Sequence, residues 1–146
     1  PCLGTQSNCT AIVGATCEAV RDRAICRHAN LHNIRVCVAI RQYVAATTAA
    51  LNTYNGCVTM GWRPDEIAHD ARCLLMYEAS VQLAGLALRR SVDAAGRAYD
   101  AGVQRAWNAY HACTPRTGNN PPSFPIDTVP PAMLNNTAAL IDIKFK

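Results

Sequence analysis

The stretch CRHANLHNIRVC, from Cys26 to Cys37, sets two cysteines around two histidines, His28 and His32, spaced four apart. Two thiolates and two imidazoles are the donor set of a tetrahedral zinc site. Oxidised, the same cysteines would instead staple a turn between two helices. His-x3-His fits one helix face, but Asn30 to Asn33 reads as a place where a helix stops, and the spacing follows no zinc pattern. The chain has eight cysteines, Cys2, Cys9, Cys17, Cys26, Cys37, Cys57, Cys73 and Cys113, with no CxxC pair among them. An even count at this density favours a disulfide framework in an oxidising compartment. The staple is therefore the expectation, with no metal and no cofactor.

A second chemical candidate is NGCVTMGWRPDEIAHDARC, Asn55 to Cys73. A Gly-Cys loop, then a helix bearing His69-Asp70, then a cysteine, loosely resembles secreted phospholipase A2. The resemblance implies His69 as the general base that activates water and Asp70 as a calcium ligand. Carbonyls near Gly56 and Gly61 would complete the site. The second glycine-rich half of that family's loop is missing, the loop-to-histidine distance is short, and no cysteine stands just before His69 as that family's disulfide requires. Asp93 or Asp100 would have to orient the imidazole, and nothing selects either. The expectation is a surface His-Asp pair near a helix start, in a protein that is not an enzyme. Ser7, Ser80, Ser91 and Ser123 lie in no nucleophile elbow, and no glycine loop cradles a phosphate. His111, beside Tyr110 and Cys113, reads as an ordinary helix-end histidine.

The elements that would position these residues are helical. Val13, Cys17, Val20 and Ala24 form one stripe in a helix from Thr10 to Arg27. Asn33 is placed to cap a second helix from Ile34 to about Tyr54, lined by Cys37, Ile40, Val44, Thr48 and Leu51 and ended by Gly56. Pro64, Asp65 and Glu66 suit the start of a third. A single helix from there to Cys113 would be about 75 Å long, too long for one compact domain. A break is expected between Arg90 and Gly96, with Ser91 or Asp93 as cap. Ile67, Ala71, Leu74, Val81 and Leu88 would line the third helix, and Tyr99, Val103, Ala106, Tyr110 and Cys113 the fourth. Six of the eight prolines fall between Thr114 and Leu134, where no helix is expected. From Leu140 to Lys146, Ile141, Ile143 and Phe145 alternate with Asp142, Lys144 and Lys146, which is a strand period. The architecture expected is all-α: a disulfide-stapled four-helix bundle, residues 1–113, followed by an extended proline-rich arm, residues 114–146.

Cysteine pairing follows from hairpin symmetry, because residues equidistant from a turn end side by side. Cys26 and Cys37 are symmetric about Leu31 and His32, Cys9 and Cys57 about Asn33, and Cys73 and Cys113 about Asp93. Cys2 is left to Cys17. Each bridge would stabilise the fold by about 2–4 kcal/mol.

Half of the 146 residues are apolar, and no uninterrupted apolar run reaches the roughly 18 that a membrane-crossing helix needs. The opening Pro1-Cys2 leads to the expectation of a mature form whose leader has been removed. Two sequons, at Asn8 and Asn135, agree with a secreted, extracellular glycoprotein. The net charge of +4 is modest, and the arginines clustered from Arg21 to Arg41 read as a solvated helix face. No nucleic-acid partner and no transmembrane segment are expected. What remains is binding. An apolar small molecule or lipid would sit between helices, against Leu74, Leu75, Leu83, Leu86, Tyr99, Val103, Trp107 and Tyr110. The alternative is a protein-interaction or matrix module whose C-terminal arm contacts a partner protein or a second copy. The tail discriminates: folded back it favours a carrier, projecting it favours an interaction role.

Overall fold

The computed structural model describes residues 2–59, 65–113 and 122–135, and among them all regular structure is helical, with no strand. A 3-10 turn at Cys9–Ala11 precedes α1 (Cys17–Val58), α2 (Glu66–Cys113) and a short α3 (Pro131–Asn135). Pro64, Gly61, most of the proline-rich stretch before Pro122 and the alternating segment Leu140 to Lys146 lie outside the described residues.

The expected four helices are two long ones and a short third. α1 runs for 42 residues straight through His28 to Asn33, and α2 for 48 through Arg90 to Gly96. Neither stretch contains proline, and one glycine at Gly96 costs a helix only about 1 kcal/mol. The asparagines that suggested a stop remain helical because their side chains bond to other segments rather than to their own backbone. A helix of 48 residues is too long for one compact domain. The chain instead divides into two compact units, Pro1–Val38 with Ser91–Thr128 and Ala39–Arg90 with Val129–Lys146. α1 also opens later than expected, where the Thr16 hydroxyl caps it by accepting from the Ala19 N–H at 3.1 Å. Proline, excluded from a helix interior, is tolerated as the first residue of α3.

In the first unit, the early part of α1 packs against the late part of α2, and the N-terminal segment covers α1. Cys2–Cys37 and Cys9–Cys26 are disulfides. Cys26 and Cys37 therefore do not bond each other. Eleven residues apart in an unbroken helix, they lie on one face about 16 Å apart, and each takes a cysteine of the overlying segment. Asn30 accepts from the Ser7 N–H and donates to its carbonyl, both at 2.8 Å. Asn33, only 1% exposed, donates to the Thr5 carbonyl at 2.8 Å and the Pro125 carbonyl at 3.0 Å, and accepts from the Asp127 N–H at 2.8 Å. Gly4, at φ +64°, passes so close that a Cβ would lie 2.6 Å from the Asn33 carbonyl oxygen. The Cys17–Cys113 bridge joins the start of α1 to the end of α2.

The stripes expected along α2 hold at Val81, Leu88, Ala106 and Tyr110, which are buried, whereas the buried face of α1 differs from the expected one by about one position. Val13, Val20, Val44 and Ile67 are exposed, whereas Arg21, Ile25, Val36, Ala39, Tyr43 and Ala50 face inward from α1. Alanines and a stacked arginine share the seam with a few larger apolar residues, while several other large apolar residues are left outside it. α1 also holds an 18-residue window of mean hydropathy 1.2, of which 22% is buried, so by length and composition alone it is apolar enough to cross a membrane.

Candidate functional site

In the second unit, the late part of α1 runs against the early part of α2. Ala50, Tyr77 and Val81 form a buried cluster, with Leu51, Tyr54 and Leu74 packed on it. Cys57–Cys73 is the unit's disulfide. It bridges residues equidistant from Asp65, and so does Cys17–Cys113 in the first unit, with sequence separations of 16 and 96. The equidistance rule therefore holds for these two bridges, about a centre different from the ones expected. The expected pairs Cys2–Cys17, Cys9–Cys57, Cys26–Cys37 and Cys73–Cys113 are all replaced.

Beside the Cys57–Cys73 bridge lies a cavity of about 290 Å³. α1 lines it with Ala46, Ala49, Ala50, Thr53 and Tyr54, and α2 with Met76, Tyr77 and Ser80. Spacings of three and four put each set on one helix face. The void has a simple origin. Four short side chains in the α1 run VAATTAALNTY face residues of α2 that do not reach across. The rings of Tyr54 and Tyr77, tilted with centroids 5.7 Å apart, form one wall. The Ser80 hydroxyl donates to its own helix at the Met76 carbonyl, 3.0 Å away, which leaves the lining largely apolar.

Of the residues expected to form an apolar wall, none lines this cavity. Leu74 belongs to the neighbouring cluster, while Leu75, Leu83 and Leu86 are exposed. Tyr99, Val103, Trp107 and Tyr110 belong to the first unit. There the Tyr99 ring meets His32 at 5.7 Å, and Trp107 and Tyr110 take the Arg21 guanidinium at 4.7 and 4.4 Å from their centroids. Arg21 is 4% exposed and pairs with Asp22 at 2.8 Å. Its Nη1 has no hydrogen-bond partner among the described residues. Burial pushes the Tyr99 hydroxyl above its ordinary range, helped by the nearby Asp100 charge. The alanine run that carves the cavity was readable as close packing; whether it closes or leaves a gap depends on what faces it.

Cys26 and Cys37 are oxidised into separate bridges, and His32 is buried with Nδ1 3.2 Å from the Asn33 amide oxygen. Cys57, His69 and Cys73 bring three donor atoms within 4.8 Å of one another. Both sulfurs are bonded to each other, so no thiolate is available to a metal. His69 Nε2 lies 2.9 Å from the Cys57 carbonyl, which can only accept, so this nitrogen carries the hydrogen and donates it there. Asp70 is half-buried beside it. At the start of α2 the Arg72 guanidinium hydrogen-bonds Asp65 at 2.9 Å and holds its carboxyl below the usual range.

Comparison with protein-family models, with curated proteins and with solved structures finds no match to this chain. The cavity and its surroundings are thus the basis for assigning a role.

Proposed function

We propose that this protein is a secreted, non-enzymatic carrier that holds an apolar small molecule or the chain of a lipid in the cavity between α1 and α2. The observation that carries this reading is the 290 Å³ void, lined by alanines, Thr53, Met76 and two tyrosines. Its size is at the lower end for ligand pockets. An engineered apolar cavity of about 150 Å³ holds benzene, so this one suits roughly a dozen carbon atoms. The tail also supports a carrier. Its described residues turn back to the helices, bonded at Asn33 in one unit and, in the other, at Leu134, whose carbonyl accepts from Arg89 at 2.9 Å. Four intramolecular disulfides fit the oxidising conditions of the extracellular space. The first sequon is accessible for glycosylation: Asn8 is exposed, and the Thr10 hydroxyl donates to its amide oxygen at 2.6 Å.

The test is calorimetric titration with n-decanol, against wild type and Ala49→Phe. Ala49 lies on the open side of the cavity, so the phenyl ring fills the void without displacing the buried cluster. Wild type is expected to bind one molecule saturably, and the variant to lose affinity roughly tenfold or more at unchanged Tm. No saturable binding, or equal affinity in the variant, would remove the proposal.

A further inference from the structure

α2 is apolar on two sides. Cys73, Tyr77, Val81, Ala84 and Leu88 face the core of the second unit. The opposite side carries Leu75, Met76, Leu83 and Leu86, which are 65%, 62%, 68% and 52% exposed. Scattered apolar residues need no explanation, but four large ones within three turns of one helix side form a contiguous patch. Arg72 and Arg90 bracket it. They are 18 residues apart, which is five full turns, so both lie on one line along the helix with about 27 Å between their Cα atoms. The four apolar residues fall within about 60° of that line at 100° per residue. Between the two arginines the only acidic residue is Glu78, half-buried and about 120° around the helix from that line.

The charge pattern chooses the occupant. A second copy related by a two-fold axis would set arginine against arginine in either the parallel or the antiparallel pairing, with no acid on the face between them and with Asp65, just before it, already bonded to Arg72. A surface that is apolar within and negatively charged at its boundary answers both features. We infer that this side of α2 docks on an anionic phospholipid bilayer. The leucines and Met76 enter the boundary between headgroups and acyl chains, and Arg72 and Arg90 reach the lipid phosphates while their stems cover apolar surface. The surface ion pair that Arg72 makes with Asp65 is too weak to hold it back. Met76 belongs both to this face and to the cavity wall, so the bilayer would lie beside the void. The docking itself does not depend on the cavity being filled.

Co-sedimentation with vesicles decides it, using mixed phosphatidylglycerol and phosphatidylcholine against phosphatidylcholine alone. The wild-type chain should sediment with the anionic vesicles only, and less as salt is raised. Arg90→Gln should lower the partition constant about fivefold, and Leu83→Glu more than about tenfold. Both side chains are exposed, so circular dichroism should match wild type. Ala49→Phe should sediment as wild type does, which separates failure of docking from failure of the carrier reading. The inference is overturned by absent sedimentation, by equal binding to neutral vesicles, or by binding that ignores Leu83. It is equally overturned if Leu83→Glu dissolves a dimer in vesicle-free ultracentrifugation, since the face would then belong to a second copy.

Discussion

The two units build on the same pairing of α1 with α2 and use it differently. In the first, partners such as Cys17 and Cys113 or His28 and Gly102 meet about equally far from Asp65, and in the second so do Cys57 and Cys73. The first unit adds an N-terminal segment held by two further disulfides and by the amides of Asn30 and Asn33. Its seam is filled by Arg21, Trp107, Tyr110 and His32. The second unit has one disulfide, a run of alanines and a void, and its outer leucines are bare. A seam packed with rings and with amides bonded across segments specifies structure; a seam lined with short side chains leaves a void. Three of the four disulfides lie in the first unit, and the void lies in the second beside the fourth.

The sharpest way to break the comparison is at Asn33. Asn33→Leu would strand the Thr5 and Pro125 carbonyls and the Asp127 N–H that it now satisfies. A loss of about 3 kcal/mol in urea unfolding is expected. The cavity-filling Ala49→Phe in the second unit should leave stability unchanged, as above. Similar losses at both sites would mean that the two seams are equally specified.

A smaller effect is expected at Gly102, where a Cβ would lie 2.4 Å from the His28 ring. Gly102→Ala should cost about 1–3 kcal/mol. The cost should shrink when His28 is also replaced by alanine, because the double-mutant cycle removes the clash. Strict additivity would show that the close approach is not what the glycine serves.

The smallest effect is the pH response of the same histidine. Burial, and then the Arg105 and Arg35 charges, lower its pKa below 6.5. A depressed histidine binds a proton more readily when unfolded. Its contribution is thus fully present above pH 6.5 and is lost as pH falls from there through the folded-state value. Stability should therefore fall on mild acidification, by less in His28→Gln than in wild type. An equal fall in both would assign the response to another group.

Much is legible in the sequence alone. Absence of strand patterns across the first 113 residues, helix-forming composition and the even cysteine count point to the helical, disulfide-bonded architecture of the described residues, because periodicity and redox chemistry act locally. Equidistance from the hairpin turn describes only two of the four bridges, Cys17–Cys113 and Cys57–Cys73, and it yields none of the observed pairs from the sequence. What it lacked was the centre, because Asn30 and Asn33 looked like helix stops while Asp65 did not look like the pivot. Only the tertiary structure decided that. An asparagine's amide can cap a helix or reach across to another segment, and the choice depends on whether that segment is present to be bonded. The cavity is likewise a property of two faces: the alanines of α1 are written in the sequence, but a void exists only where the facing side chains of α2 fail to fill it.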